Sequence, residues 1–226
     1  MSINIEQLIA VAEQLQNMKD EVVFVGGSTT ALLVDDVAAS QARQTEDVDF
    51  IVDIAISGDL YKFEDRMRQL GFKNDTSKGS HICSWTMDFH GQTLKVDAMP
   101  TDDKSLGFSN RWYKDSIESA WTKEIKKGLS VNVVDPVYFL GTKFEAYKGR
   151  GDGSIFSHDL EDIFYVLEHR TGIEILVFDA KDDVKEYLKK EFSGLLNHPE
   201  LENTLPGIAD AVDLVMSRIQ FVSEKC

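Results

Sequence analysis

The stretch Val23-Phe24-Val25-Gly26-Gly27-Ser28, followed a short way on by Asp47-Val48-Asp49-Phe50-Ile51-Val52-Asp53, decides how this chain is read. Residues 21–25 read as a buried strand running straight into two glycines, and residues 28–34 as a helix leaving that turn. Glycines between a strand and a helix let the backbone approach a phosphate closely, and a helix start offers free N–H groups. Ser28 adds a hydroxyl donor. Residues 47–53 read as a second strand. Strand positions i and i+2 share a face, so Asp47 and Asp49 stand side by side while Val48 and Phe50 turn to the core. Two like charges so close are unfavourable unless a cation neutralises them, and a hard divalent ion with oxygen ligands suits them. A third carboxylate, Asp97, lies in Leu94-Lys95-Val96-Asp97-Ala98 and shares a strand face with Lys95. Its apolar neighbours predict partial burial, and a part-buried carboxylate needs a partner that a metal at the pair would supply. Taken singly, Asp-x-Asp fits a solvent-facing strand and Gly-Gly-Ser an ordinary turn. Their succession points to a metal beside a phosphate.

Outward from this centre, residues 3–18 carry an apolar stripe with a 3.6-residue period and predict an opening helix. Residues 35–46 are polar and read as a helix end and a loop, and 60–70 as a helix stopped by Gly71. Residues 82–89 and 92–99 joined by His90-Gly91 predict a hairpin, and 120–125 with 129–134 a second one through Lys126-Lys127-Gly128. Asp135-Pro136 then opens a helical half, with helices over 137–148, 158–169, 181–192 and 208–222. Asp135 before a proline at the first helical position fits an N-cap. The expected division is therefore 1–134 and 135–226, two lobes sharing one cleft.

The chain has 226 residues, 42% hydrophobic and 28% charged, which supports a sizeable core. No apolar run approaches a membrane span, and Met-Ser-Ile-Asn-Ile-Glu lacks a signal-peptide layout. With Cys83 and Cys226 as the two cysteines, a reducing cytoplasm is expected and no membrane partner. The 39 acidic residues against 24 basic ones give a net charge of −15, which weighs against a large nucleic-acid footprint. A protein or a cationic small molecule gains weight as partner. His81, His90, His169 and His198 lack metal spacing, so zinc is not expected. Trp85, Trp112 and Trp121 are expected to pack, and Gly149-Arg150-Gly151-Asp152-Gly153 lacks the P-loop lysine pattern.

Gly26-Gly27-Ser28 with Arg43-x-Thr45-x-Asp47-Val48-Asp49-Phe50 resembles the signature of the DNA polymerase β-like nucleotidyltransferase superfamily. Val131-Asn132-Val133-Val134-Asp135-Pro136, Lys143-Phe144-Glu145-Ala146-Tyr147-Lys148-Gly149-Arg150 and His158-Asp159-Leu160-Glu161-Asp162-Ile163 extend the match. Together they resemble the AbiEii-type nucleotidyltransferases, often toxins of toxin–antitoxin pairs, over about residues 20–170. The resemblance implies an α/β (α+β) fold, a nucleotidyltransferase palm with a mixed sheet and a C-terminal helical lobe closing the nucleotide cleft. It implies transfer of a nucleotidyl group from an NTP such as ATP to a hydroxyl on tRNA or protein, with two Mg²⁺ ions and an antitoxin protein as partner. Asp47, Asp49 and Asp97 would be the metal ligands and, with Lys143, the catalytic set. Gly26, Gly27, Ser28, Lys143, Arg150 and Asp159 would bind the nucleotide, and Asp162 would support the helix face. His158 departs from the family, which has lysine there, so a fixed charge becomes a titratable one. Two rival readings are an aminoglycoside-type small-molecule nucleotidyltransferase and a non-catalytic nucleotide- or partner-binding module that kept the fold.

Overall fold

A computed structural model describes residues 2–36, 39, 42–53, 60–77, 83–101, 109–149 and 153–226. The chain divides into two compact units, Met1–Ala31 with Arg43–Asp135, and Leu32–Ala42 with Pro136–Cys226.

The first unit contains helix α1 (Ile3–Leu15), strands β1 (Val22–Val25) and β2 (Asp47–Val52), helix α2 (Leu60–Gln69), and strands β3 (Lys73–Asn74), β4 (Ser84–Phe89) and β5 (Gln92–Pro100). Helix α3 (Tyr113–Glu118) and strands β6 (Trp121–Lys126) and β7 (Leu129–Val133) complete it. Among the described residues the strands form one seven-stranded sheet in the order β3-β4-β5-β2-β1-β7-β6. β2 runs parallel to β5 and β1 parallel to β7, while the other pairs are antiparallel, so the sheet is mixed. The centre of the sheet is also the centre of the core. All four residues of β1 are buried, and Val48, Phe50, Ile51 and Val52 of β2 are 1% exposed or less. Phe24 and Phe50, paired across the two strands, meet edge to face with centroids 6.1 Å apart. Helix α1 buries Leu8, Val11, Ala12 and Leu15, with contacts to β2 and β6. Each of the two leucines so buried contributes roughly 1.5–3 kcal/mol. His90 and Gly91, at φ 54° and 79°, form the β4–β5 turn with both central residues left-handed, which matches the strand twist.

In the first unit two helical segments are wound differently from the sequence expectation. α1 ends at Leu15 rather than 18, because Gln16 takes φ 51° and a 3₁₀ turn over Gln16–Glu21 leads the chain into β1. The segment after Gly26 is a 3₁₀ helix, Gly27–Leu32, rather than an α-helix. There the Thr29 hydroxyl donates to the Gly26 carbonyl (2.8 Å) and the Thr30 hydroxyl to the Gly27 carbonyl (2.9 Å). These i−3 bonds favour the tighter winding.

The second unit is helical: α4 (Pro136–Gly149), α5 (His158–His169), α6 (Ile173–Phe178), α7 (Asp182–Leu196), α8 (Leu201–Thr204) and α9 (Val212–Lys225). The four longer helices are the four periodic segments of the sequence. α9 starts later than 208 because Leu205–Gly207, which includes Pro206, forms a 3₁₀ turn first. α6 and α8 are too short to show a period. Phe144 and Phe192 meet edge to face at 4.9 Å between α4 and α7. The C-terminal carbonyls of α5 find donors outside the helix: Arg218 Nη1 donates to Leu167 and Glu168, and the amides of Asp35 and Asp36 donate to His169. Asp35 also accepts from the Thr171 amide and from Arg170 Nη1, both at 2.9 Å. These bonds tie Asp35 and Asp36 to the C-terminal end of α5 and the residues that follow it. No helix among the described residues is long and apolar enough to cross a membrane.

The Thr171 N–H, ahead of the Arg170 charge, holds the Asp35 carboxyl below its usual range. A depressed carboxyl stabilises the fold above its unfolded pKa, and that contribution is lost as pH falls through the folded value. Asp35→Asn should therefore lower stability near neutral pH by less than about 1 kcal/mol, the side chain being 41% exposed. Urea titrations of the two proteins should converge as the pH is lowered through the carboxylate range.

Candidate active site

The site is built by strand pairing. In β2 the alternation half-exposes Asp47 and Asp49 and buries Val48 and Phe50. The parallel register with β5 sets Asp47 opposite Lys95 and Asp49 opposite Asp97. On the other side Val25, the last residue of β1, lies opposite Asp49, so the Gly26 turn begins beside that carboxylate. One ligand oxygen from each of Asp47, Asp49 and Asp97 lies within 4.8 Å of the others. Oxygens so grouped can share one or two hard divalent cations. Asp97 supplies an independent sign of a ligand: it is 5% exposed, and its Oδ1 is buried with no hydrogen-bond partner among the described residues. A buried carboxylate oxygen left in that state is unfavourable unless something cationic reaches it.

The glycine turn is fitted to this cluster. Gly26 has φ +73°, and a Cβ placed there would lie 2.1 Å from Asp49 Oδ2. Only a residue without a side chain allows the approach. Gly27 and Ser28 are buried, and the Ser28 Oγ has no hydrogen-bond partner among the described residues. The turn thus brings a hydroxyl and close-approach backbone to the end of β1. The approach to β2 is fixed from α1. Buried Asn4 donates from Nδ2 to the Arg43 carbonyl (2.8 Å) and accepts at Oδ1 from the Thr45 amide (3.1 Å). Thr45 Oγ1 in turn donates to the Asp47 carbonyl at 3.1 Å. Asn4 escaped the sequence reading, since a polar residue on the first turn of a helix carries no signal of a partner about forty residues away.

The acidic field reaches its neighbours. Burial pulls the Lys95 ammonium down, but Asp97 foremost, then Asp47 and Asp49, outweigh it and hold the group above its usual pKa. Burial first, and then the Asp97 charge, pushes the Cys83 thiol up to about 11. Cys83 is therefore a thiol, not a thiolate, at neutral pH.

The second unit contains the other candidates. Lys143 on α4 is 8% exposed, with Nζ 2.6 Å from Asp162 Oδ2 and 3.2 Å from Asp159 Oδ1 of α5. Asp159 and Asp162 are 1% and 2% exposed, so this is a buried group of one cation and two anions. The resemblance assigns Lys143 and Asp159 to the nucleotide and Asp162 to the helix face; Lys143 lies against both aspartates, and Asp162 makes the shorter contact. His158 is exposed and pairs with Glu161, its Nδ1 3.2 Å from Oε2. Trp85 and Trp112 are buried and Arg111 stacks over the Trp112 ring at 4.7 Å. Arg150 and His81, with residues 151 and 152 of the glycine-rich loop, lie outside the described residues.

A mixed sheet with a glycine turn and three converging aspartates, joined to a helical unit, defines a nucleotidyltransferase-type protein. The family described as the nucleotidyl transferase AbiEii toxin, type IV toxin–antitoxin system, matches residues 10–216, and the chain belongs to it. Among solved structures it is similar to an antigenic nucleotidyltransferase-like protein from Paracoccidioides brasiliensis, at 18% identity and a TM-score of 0.58. That match covers 100% of this chain and 96% of the other, and at such identity it speaks for the fold. No curated protein matches the chain.

Gly26→Ala should combine left-handed backbone strain of about 1 kcal/mol with a displaced Asp49 carboxylate. The rise in melting temperature on adding Mn²⁺ should be lost; an unchanged rise would show that Asp49 does not depend on this contact. Lys143→Ala leaves two buried carboxylates without their ammonium and should destabilise the second unit by about 3–5 kcal/mol in chemical denaturation.

Proposed function

We propose that the chain is a Mg²⁺-dependent nucleotidyltransferase that moves an NMP group from an NTP to a hydroxyl. The observation that carries this reading is the convergence of Asp47, Asp49 and Asp97 beside the Gly26–Ser28 turn, with Asp97 Oδ1 buried and unpartnered among the described residues. In this reading Asp47, Asp49 and Asp97 hold the cations. Bound Mg²⁺ offsets phosphate charge and makes the acceptor hydroxyl more acidic. The acceptor oxygen forms a bond to the α-phosphorus, the bond from that phosphorus to the bridging oxygen breaks, and pyrophosphate leaves. Asp97 takes the hydroxyl proton. Gly26 and Gly27 admit the phosphates close to the backbone, and Ser28 donates its hydroxyl to them. Lys143 is assigned to offset phosphate charge, with Asp159 orienting its ammonium, and Arg150 is assigned to the same nucleotide. Catalysis then consists of alignment and charge compensation.

For the acceptor, we infer a hydroxyl of a macromolecule, in keeping with the toxin family, with an antitoxin protein as partner. The net charge of −15 favours a protein acceptor over tRNA. The division of labour would follow 1–134 as palm and 135–226 as helical lobe.

Asp49→Asn should abolish Mg²⁺-dependent transfer of label from α-³²P-NTP to total protein or total RNA, with an unchanged circular dichroism spectrum. Undiminished labelling by this variant would refute the assignment. Labelled RNA with unlabelled protein would reverse the choice of acceptor.

A further inference from the structure

Asp47, Asp49, Lys95 and Asp97 stand at the four corners of one patch of the sheet. The register pairs Asp47 with Lys95 and Asp49 with Asp97, and the two-residue spacing along each strand puts all four on one face. Three corners are anionic and one is cationic. Lys95 Nζ lies 3.3 Å from Asp97 Oδ2, while Oδ1 of the same carboxylate has no hydrogen-bond partner among the described residues. The two oxygens of Asp97 are thus unequal: one faces an ammonium from its own strand, the other is left for a ligand. The partners also differ in burial, Lys95 being 37% exposed in its side chain and Asp97 7%. A lysine with that much solvent can withdraw along its flexible stem, whereas the carboxylate stays where the sheet holds it.

We propose that Lys95 is a built-in counter-ion of the aspartate cluster, competing with a divalent cation for Asp97 and lowering the cation affinity of the nucleotide-free protein. This rests on the cluster being a cation site, as argued above. Counting these four side chains alone, three carboxylates and one ammonium leave two net negative charges, the charge that a single divalent ion offsets. Without the ammonium the cluster would carry three at short range, more attractive to a cation and more repulsive within the bare sheet. The lysine therefore exchanges affinity for tolerance of the empty state. A lysine that served only to orient Asp97 would have the opposite effect, since its loss would loosen a ligand and weaken binding.

The test is calorimetric titration of the full-length, nucleotide-free protein with MnCl₂, paired with thermal melts in chelator and in Mn²⁺. Lys95→Met should bind Mn²⁺ about tenfold more tightly than the unsubstituted protein. It should melt lower in chelator and gain more from added Mn²⁺. Lys95→Arg, which keeps the charge, should stay within about threefold of the unsubstituted affinity. Unchanged or weaker binding by Lys95→Met, or an equal gain by Lys95→Arg, would overturn the proposal. Asp49→Asn separates the two layers. Mn²⁺ binding that survives this variant would refute the cation site itself, and with it the counter-ion. Binding lost in Asp49→Asn but unaltered in Lys95→Met would remove only the role of Lys95.

Discussion

Mutual repulsion of carboxylates on one sheet face is the constraint around which this protein is arranged. Asp47 and Asp49 share a strand face, and Asp97 sits directly opposite Asp49 on the neighbouring strand. The fold holds them there from behind. Val48, Phe50, Ile51 and Val52 are buried in the core, and Phe50 interlocks with Phe24. Moving an aspartate away from its neighbours would slip the strand, and a one-residue slip would turn the whole apolar set of β2 outward. Hydrophobic burial on one face thus fixes an electrostatically unfavourable arrangement on the other. That asymmetry is a usual mark of a functional site, where local strain is sustained by the surrounding structure.

Much of this was legible because strands and glycines carry strong local signals. The i, i+2 rule put Asp47 and Asp49 on one face from sequence alone, and the apolar flanks of Asp97 foretold its burial. The two hairpins followed from His90-Gly91 and Gly128, whose positive φ values are what such turns require. What stayed hidden was whatever depends on which strands become neighbours. The parallel pairing of β2 with β5 joins segments separated in sequence by α2, β3 and β4, and no local pattern announces it. Hence Lys95, known to share a face with Asp97, gained a meaning only when Asp47 proved to lie across from it. Gly26 is a similar case: the sequence marks a glycine turn there, but neither its left-handed φ nor its approach to Asp49.

Helix boundaries failed for a different reason. The Thr29 and Thr30 hydroxyls bond back to carbonyls three residues earlier, so a segment that reads as helical winds as a 3₁₀ turn. At Gln16 and at Leu205–Gly207 the chain changes direction before its apolar pattern ends or begins. Periodicity reports which residues are buried, and it is silent about how the backbone is wound between them.

The two units each place a lysine among aspartates, and the contrast explains why one group can exchange its partner and the other cannot. In the helical unit Lys143 is 8% exposed and contacts two carboxylates that are 1% and 2% exposed, at 3.2 and 2.6 Å. None of these groups can leave without exposing an uncompensated charge to a medium that stabilises it poorly, so the arrangement holds α4 to α5. In the sheet unit Lys95 pairs with Asp97, at 3.3 Å, from a side chain more than a third exposed. Water can take over the ammonium, and a divalent ion can take over the carboxylate, at little net electrostatic difference. Burial therefore separates two groups of like composition: the closed one holds α4 to α5 and fixes the Lys143 ammonium in place, and the open one is free, under the counter-ion proposal, to trade its lysine for a cation.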